Sequence, residues 1–84
     1  MAIEAAIKKI LATELFVEAS PEKISDQESL RDVYGLDSLG FTELRVQCED
    51  HFEVRISDAD FQPENFRNIA SLAGLIRRLR DGET

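Results

Sequence analysis

The sequence predicts an all-α protein, a small bundle of three longer helices with a short fourth around one apolar core. Two observations carry this reading. Three segments space their apolar residues at three and four, and the only alternating stretch, around Val54 and Ile56, is too short to argue for a sheet. A chain of 84 residues is also near the lower size at which one core folds without staples, so a single domain across 1–84 is expected.

The first helix is expected over about 3–18, because Ile3, Ile7, Ile10, Leu11 and Leu15 share a face while Lys8, Lys9 and Glu14 lie off it. Pro21 marks its end. From Ala19 to Asp37 the periodicity fails, with Ile24, Leu30 and Val33 spaced as anchors for a long loop, and Ser25 and Glu28 at capping-box spacing for one helical turn. The second helix spans about 38–52. At roughly 100° per residue, Phe41, Leu44, Cys48 and Phe52 form its buried stripe. Arg45 is expected at the stripe's edge, its stem covering apolar surface and its guanidinium in solvent. Ser57 is placed to cap a short turn over 57–61 that Pro63 closes. Asn68 then caps a last helix over 68–80, in which Ile69, Leu72, Ala73, Ile76 and Leu79 share a face and Arg77, Arg78 and Arg80 complement the negative end of the dipole.

Composition narrows the function. Seventeen acidic against ten basic side chains give a net charge of -7, which repels nucleic acid and anionic lipid and favours partners with basic surfaces. Cys48 stands alone, so no intramolecular disulfide is expected; the start of the chain does not read as a signal sequence, and no apolar run approaches the roughly 20 residues of a membrane span. A soluble, cytoplasmic monomer is the expectation. No glycine-rich phosphate loop or metal-ligand cluster stands out, so no metal is expected.

The segment that carries chemistry is Gly35-Leu36-Asp37-Ser38-Leu39-Gly40. Asp37 is a favoured N-cap, which makes Ser38 the first residue of the second helix and presents its hydroxyl at the exposed end. Leu36 and Phe41 fall at the two positions of a hydrophobic staple. Unpaired N–H groups and partial positive charge there suit a phosphodiester on Ser38. A catalytic role for Ser38 fails on two counts. A nucleophile elbow needs glycine at position 36, where this chain has leucine. His51 lies about 20 Å further along the same helix, out of reach as a base. An enzyme is therefore not expected.

Asp37-Ser38-Leu39 preceded by Gly35 resembles the phosphopantetheine attachment motif of acyl carrier proteins. The resemblance runs over nearly the whole chain, through Leu30, Glu43-Leu44, Glu49-Asp50, His51 to Ile56 and Asn68 to Leu72. It implies that a phosphopantetheinyl transferase, using coenzyme A and magnesium, places a 4'-phosphopantetheine arm on Ser38, with Asp37 and Leu39 as motif neighbours. Acyl groups would then ride as thioesters on the arm's thiol to acyl-loading and acyl-transferring enzymes. Departures from the fatty acid synthesis pattern, at Val33-Tyr34-Gly35, Gly40 and Arg45, lean towards polyketide or other specialised assembly. Peptidyl or aryl carriers of nonribosomal synthesis usually have glycine where Leu36 stands. A cofactor-free interaction module is the more distant alternative.

Helical geometry places Leu39 and Val46 opposite the buried stripe, among Glu43, Asp50 and Glu53. Two apolar side chains ringed by carboxylates are expected to form a fast-exchanging docking face for basic partners. Phe41, one turn after Ser38, is expected to gate an acyl pocket with Leu44 behind it.

Overall fold

A computed structural model of the protein describes residues 2–82. Among the described residues there are three α-helices, α1 (Ile3–Thr13), α2 (Ser38–Phe52) and α3 (Ile69–Arg80), with 3-10 turns at Pro21–Lys23 and Pro63–Asn65 and no strand. No helix is long and apolar enough to cross a membrane.

The periodic apolar faces meet as the sequence predicts. α1 buries Ile3, Ala6, Ile7, Ile10 and Leu11, and packs chiefly on α3, which buries Ile69, Leu72, Ala73, Leu75 and Ile76. α2 adds only Leu44 and Cys48. The connections complete the core with Ile24, Leu30, Leu36, Ile56 and Phe66. Arg77 does more than face the helix dipole: its Nη2 donates to Glu4 Oε1 at 2.8 Å and joins α3 to α1.

Several expectations are corrected. α1 ends at Thr13, not near 18. Its last turn widens, with the N–H groups of Glu14 and Leu15 both donating to Ile10 and that of Val17 to Leu11, while Phe16 between them takes a left-handed conformation, φ 57°. That reversal lets Leu15 and Val17 both pack on the core and leaves Phe16 in solvent. For a residue with a Cβ this conformation costs on the order of 1–2 kcal/mol. Ile24 and Leu30 are buried anchors, but Val33 is exposed, because residues 29–35 coil into a turn in which Ser29 O takes the Val33 N–H.

The capping-box pair is replaced by a longer reach. Ser25 N–H donates to Tyr34 Oη at 3.0 Å, and Tyr34 Oη donates to Glu28 Oε1 at 2.7 Å, so Tyr34 crosslinks the loop where Glu28 was expected to return to Ser25. Desolvation, then the Glu28 carboxylate, raises the phenol's pKa. The fourth helix over 57–61 is a single turn: Ser57 Oγ and the Ser57 carbonyl both accept from Asp60 N–H, as its capping role requires. Pro63 does not close that turn but opens the next, since its fixed φ suits a first helical position.

The long loop is docked, and this places α2. Leu30 N–H donates to Arg67 O and Ala70 N–H to Asp26 O, both at 3.0 Å, while Lys8 Nζ lies 2.9 Å from Asp26 Oδ1. The loop that leads into α2 is thereby held against α1 and the start of α3.

Candidate functional site

Gly35 takes φ 75°, a conformation open to glycine at little cost, and turns the chain into α2. Leu36 is buried, and its N–H donates to Leu30 O at 3.1 Å. Asp37 then caps the helix: extended itself, it accepts Gly40 N–H on Oδ1 at 2.8 Å, and its carbonyl accepts Phe41 N–H at 2.9 Å. Ser38 is the first helical residue and is exposed. Among the described residues its hydroxyl and the N–H groups of Ser38 and Leu39 have no hydrogen-bond partner. The arrangement fits an esterified phosphate, which would meet two free N–H groups and the positive end of the dipole.

Gly40, one of the departures in the motif, has a local reason. A Cβ there would lie 3.1 Å from Leu36 Cδ2 and 3.4 Å from Asp37 Oδ1. Leu36 folds over the first turn of α2, and a larger residue at position 40 would make its side chain shift by a few tenths of an ångström.

Arg45, another departure, is turned inward, contrary to the expected solvent-facing head. Its Nε and Nη2 donate to Ile56 O at 3.0 and 2.6 Å, Nη2 also reaches Asp58 Oδ1 at 3.1 Å, and the guanidinium carbon lies 4.8 Å from the centre of the Phe61 ring. One turn further on, Glu49 Oε2 accepts Ile56 N–H at 2.8 Å. Ile56 is fully buried, so α2 supplies side chains for both of its backbone polar groups. This clamp was not legible in the sequence.

A cleft of about 890 Å³ opens beside Ser38, between α2 and residues 61–67. Three of its lining side chains are aromatic: Phe66 meets Phe41 at 6.5 Å and Phe61 at 5.0 Å between ring centres, both edge to face. Phe41 lines the cleft, but Leu44 is fully buried and does not. On the opposite face of α2, Leu39, Glu43, Val46 and Asp50 are all exposed. Glu53 is exposed too, but it follows the helix in a left-handed conformation, φ 56°, so helical register no longer aims it. Cys48 is buried, and desolvation pushes its thiol up to about 12, which removes it from thiol chemistry. His51, in the last turn of α2, stacks edge-on against Phe52 at 4.7 Å, far from Ser38. No metal-binding group of side chains occurs among the described residues.

The family model described as "Phosphopantetheine attachment site" matches residues 5–76. The chain belongs to this family of carrier proteins. The acyl carrier protein of Nitratidesulfovibrio vulgaris (strain DP4) is 39% identical over 62 residues, covering 74% of this chain and 79% of that protein. In fold, the holo acyl carrier protein of Nitrosomonas europaea superposes with a TM-score of 0.81 over 93% of this chain and 95% of that one, at 20% identity. A carrier solved as "glycylated carrier protein" in complex with Bradyrhizobium japonicum glycine:[carrier protein] ligase gives a TM-score of 0.69 at 26% identity, over 87% of this chain and 97% of that one. The protein is thus an acyl-carrier-type, non-catalytic carrier whose prosthetic group is a covalently attached 4'-phosphopantetheine.

Proposed function

We propose that Ser38 bears the phosphopantetheine arm, and that the carrier presents acyl intermediates to partner enzymes through the α2 face of Leu39, Glu43, Val46 and Asp50, with Glu53 at its edge. The observation that carries this reading is the exposed Ser38 hydroxyl at the capped end of α2, beside two unpaired N–H groups. When bound, the arm supplies a thiol that holds the acyl group as a thioester. The chain's own part is to cap, orient and expose: Asp37 fixes the helix end, Leu36 fixes the loop, and the carboxylates of α2 steer basic partners. We take the working state to be a cytoplasmic monomer; the burial of Cys48 bears only on a disulfide-linked pair, which it disfavours.

The pathway we propose is polyketide or other specialised acyl assembly, on the departures of Val33-Tyr34-Gly35, Gly40 and Arg45 from the fatty acid synthesis pattern. Incubation with coenzyme A, magnesium and a promiscuous phosphopantetheinyl transferase, followed by intact-protein mass spectrometry, tests the attachment. Wild type should gain one arm, and Ser38→Ala none, with unchanged circular dichroism. Loading of Ser38→Ala would refute the assignment.

A second reading, delivery of a small aminoacyl or peptidyl group, is favoured by the likeness to the glycylated carrier. Each methylene drawn out of water stabilises by about 0.8 kcal/mol. A medium-length acyl chain that enters the bundle past Phe41 should therefore raise the melting temperature over the unacylated form, and Phe41→Ala should change the increment. No increment would favour the small cargo.

A further inference from the structure

Four large apolar residues are exposed among those described: Phe16 at 79%, Leu39 at 77%, Val33 at 53% and Val46 at 44%. The first three line one groove of about 1000 Å³ between the end of α1, the turn over 32–36 and the first turns of α2. They come from three separate stretches of chain. Such gathering of exposed apolar surface is unlike the scattered single residues of an ordinary surface. The groove's charged residues are all acidic: Glu14, Glu18, Asp32, Asp37 and Glu43 line it, and no lysine, arginine or histidine does.

Phe16 makes the arrangement costly twice over. Its backbone is left-handed, where glycine or asparagine is the usual choice, and its ring is left in water. The reversal serves the core, by letting Leu15 and Val17 pack on it, but the exposed ring does not. Glycine at this position would reverse the chain with less strain, so what phenylalanine adds is the exposed ring.

The groove also touches the reactive end of the molecule. Asp37, Leu39 and Gly40 form part of its wall, so it borders Ser38 on one side as the aromatic cleft does on the other. An enzyme that brings its active site over the Ser38 hydroxyl comes within reach of this groove through Asp37 and Leu39. We infer that the groove is a docking surface for the enzyme that transfers the arm to Ser38, which seats an apolar side chain flanked by lysine or arginine against Phe16, Val33 and Leu39. The contact area extends the α2 face through Leu39 and across to α1. The inference rests on Ser38 being the modified residue.

Steady-state loading by coenzyme A and a promiscuous phosphopantetheinyl transferase, at low ionic strength, tests it. Phe16→Gly should keep or raise the melting temperature while raising KM for the carrier about tenfold with little change in kcat. Phe16→Leu should return KM to within about threefold of wild type, and added salt should raise KM for wild type as the acidic rim is screened. If Phe16→Gly fails to fold, Val33→Ser, on a different segment, replaces it under the same criterion of raised KM. A wild-type KM in the folded variant, or a raised KM that Phe16→Leu does not restore, overturns the groove assignment. Wild-type carrier that takes no arm at all overturns the Ser38 reading instead, so the two failures are told apart.

Discussion

α1 and α3 bury five residues each, out of 11 and 12, whereas α2, the longest helix at 15 residues, buries two. The contrast separates two uses of a helix. α1 and α3 hold the bundle together through one apolar face apiece. α2 is held in place by other means: an N-cap at Asp37, a staple-like Leu36 and the clamp of Arg45 and Glu49 on Ile56. Beyond Leu44 and Cys48 only the half-buried Phe41 and Phe52 pack on the core, so the face of Leu39, Glu43, Val46 and Asp50 is free to be read by partners. A carrier that is recognised by more than one enzyme needs such a helix, rigid in place yet open along its length.

The sharpest way to break the comparison is to exchange the consequences. Leu72→Ala in α3 should destabilise by about 2–5 kcal/mol, the range for deleting a fully buried leucine side chain, as measured by urea denaturation. In a domain this small that is a large share of the total. Val46→Ala and Asp50→Lys on α2 should change stability by no more than about 0.5 kcal/mol, yet lower the turnover of transferase and partner enzymes, Asp50→Lys most at low salt. Equal turnover for wild type and both variants would mean that partners read another surface.

The clamp tests whether α2 is positioned by polar contacts. Arg45→Met keeps the apolar stem and removes the donors to Ile56 O. Leaving that buried carbonyl unpaired should cost about 1–3 kcal/mol. Glu49→Leu should cost a similar amount, by stranding the Ile56 N–H. The double variant should fall short of the sum, since both act through one residue. Full additivity would show that the two contacts do not form one unit.

What was legible in the sequence follows the same division. Ile3, Ile7, Ile10 and Leu11, and Ile69, Leu72, Ala73 and Ile76, are placed by periodicity because burial alone decides them. Asp37 and Asn68 are legible as caps, since short polar side chains at helix starts have one dominant use. The site's core, Ser38 at an exposed helix end, followed from Asp37. What escaped depends on contacts between distant segments. The end of α1 is set by Leu15 and Val17 competing for the core, which no local pattern encodes. Tyr34 displaces the expected exchange between Ser25 and Glu28 by reaching nine residues back to Ser25. Arg45 was expected to snorkel, because periodicity reports an angle on the helix and not what another segment brings to it. Phe16 and Val33 were expected on a helix and as an anchor, and only the fold shows them sharing a groove with Leu39.

The smallest effect separates the two regions by pH. Arg77 on α3 donates to Glu4 in the first turn of α1, and that hydrogen bond is the main reason the Glu4 carboxyl lies below its ordinary 4.5, aided by its own backbone N–H and opposed by desolvation. With the pKa lowered in the folded state, the unfolded chain binds more protons as pH falls past 4.5, so the contribution of Glu4 is fully present above that value and is lost as pH drops through the folded pKa. Because the Arg77 side chain is half exposed, solvent and salt screen the pair. Glu4→Gln should therefore melt slightly below wild type at pH 7, with the gap narrowing at high salt and closing as pH falls below 4.5. Substitution of Glu43, on the exposed face of α2 and bonded only to Gln47, should give a smaller gap at pH 7. A Glu4 gap that persists in acid would assign the contribution to packing of the side chain and not to its charge, and would leave α1 and α3 joined by apolar contact alone.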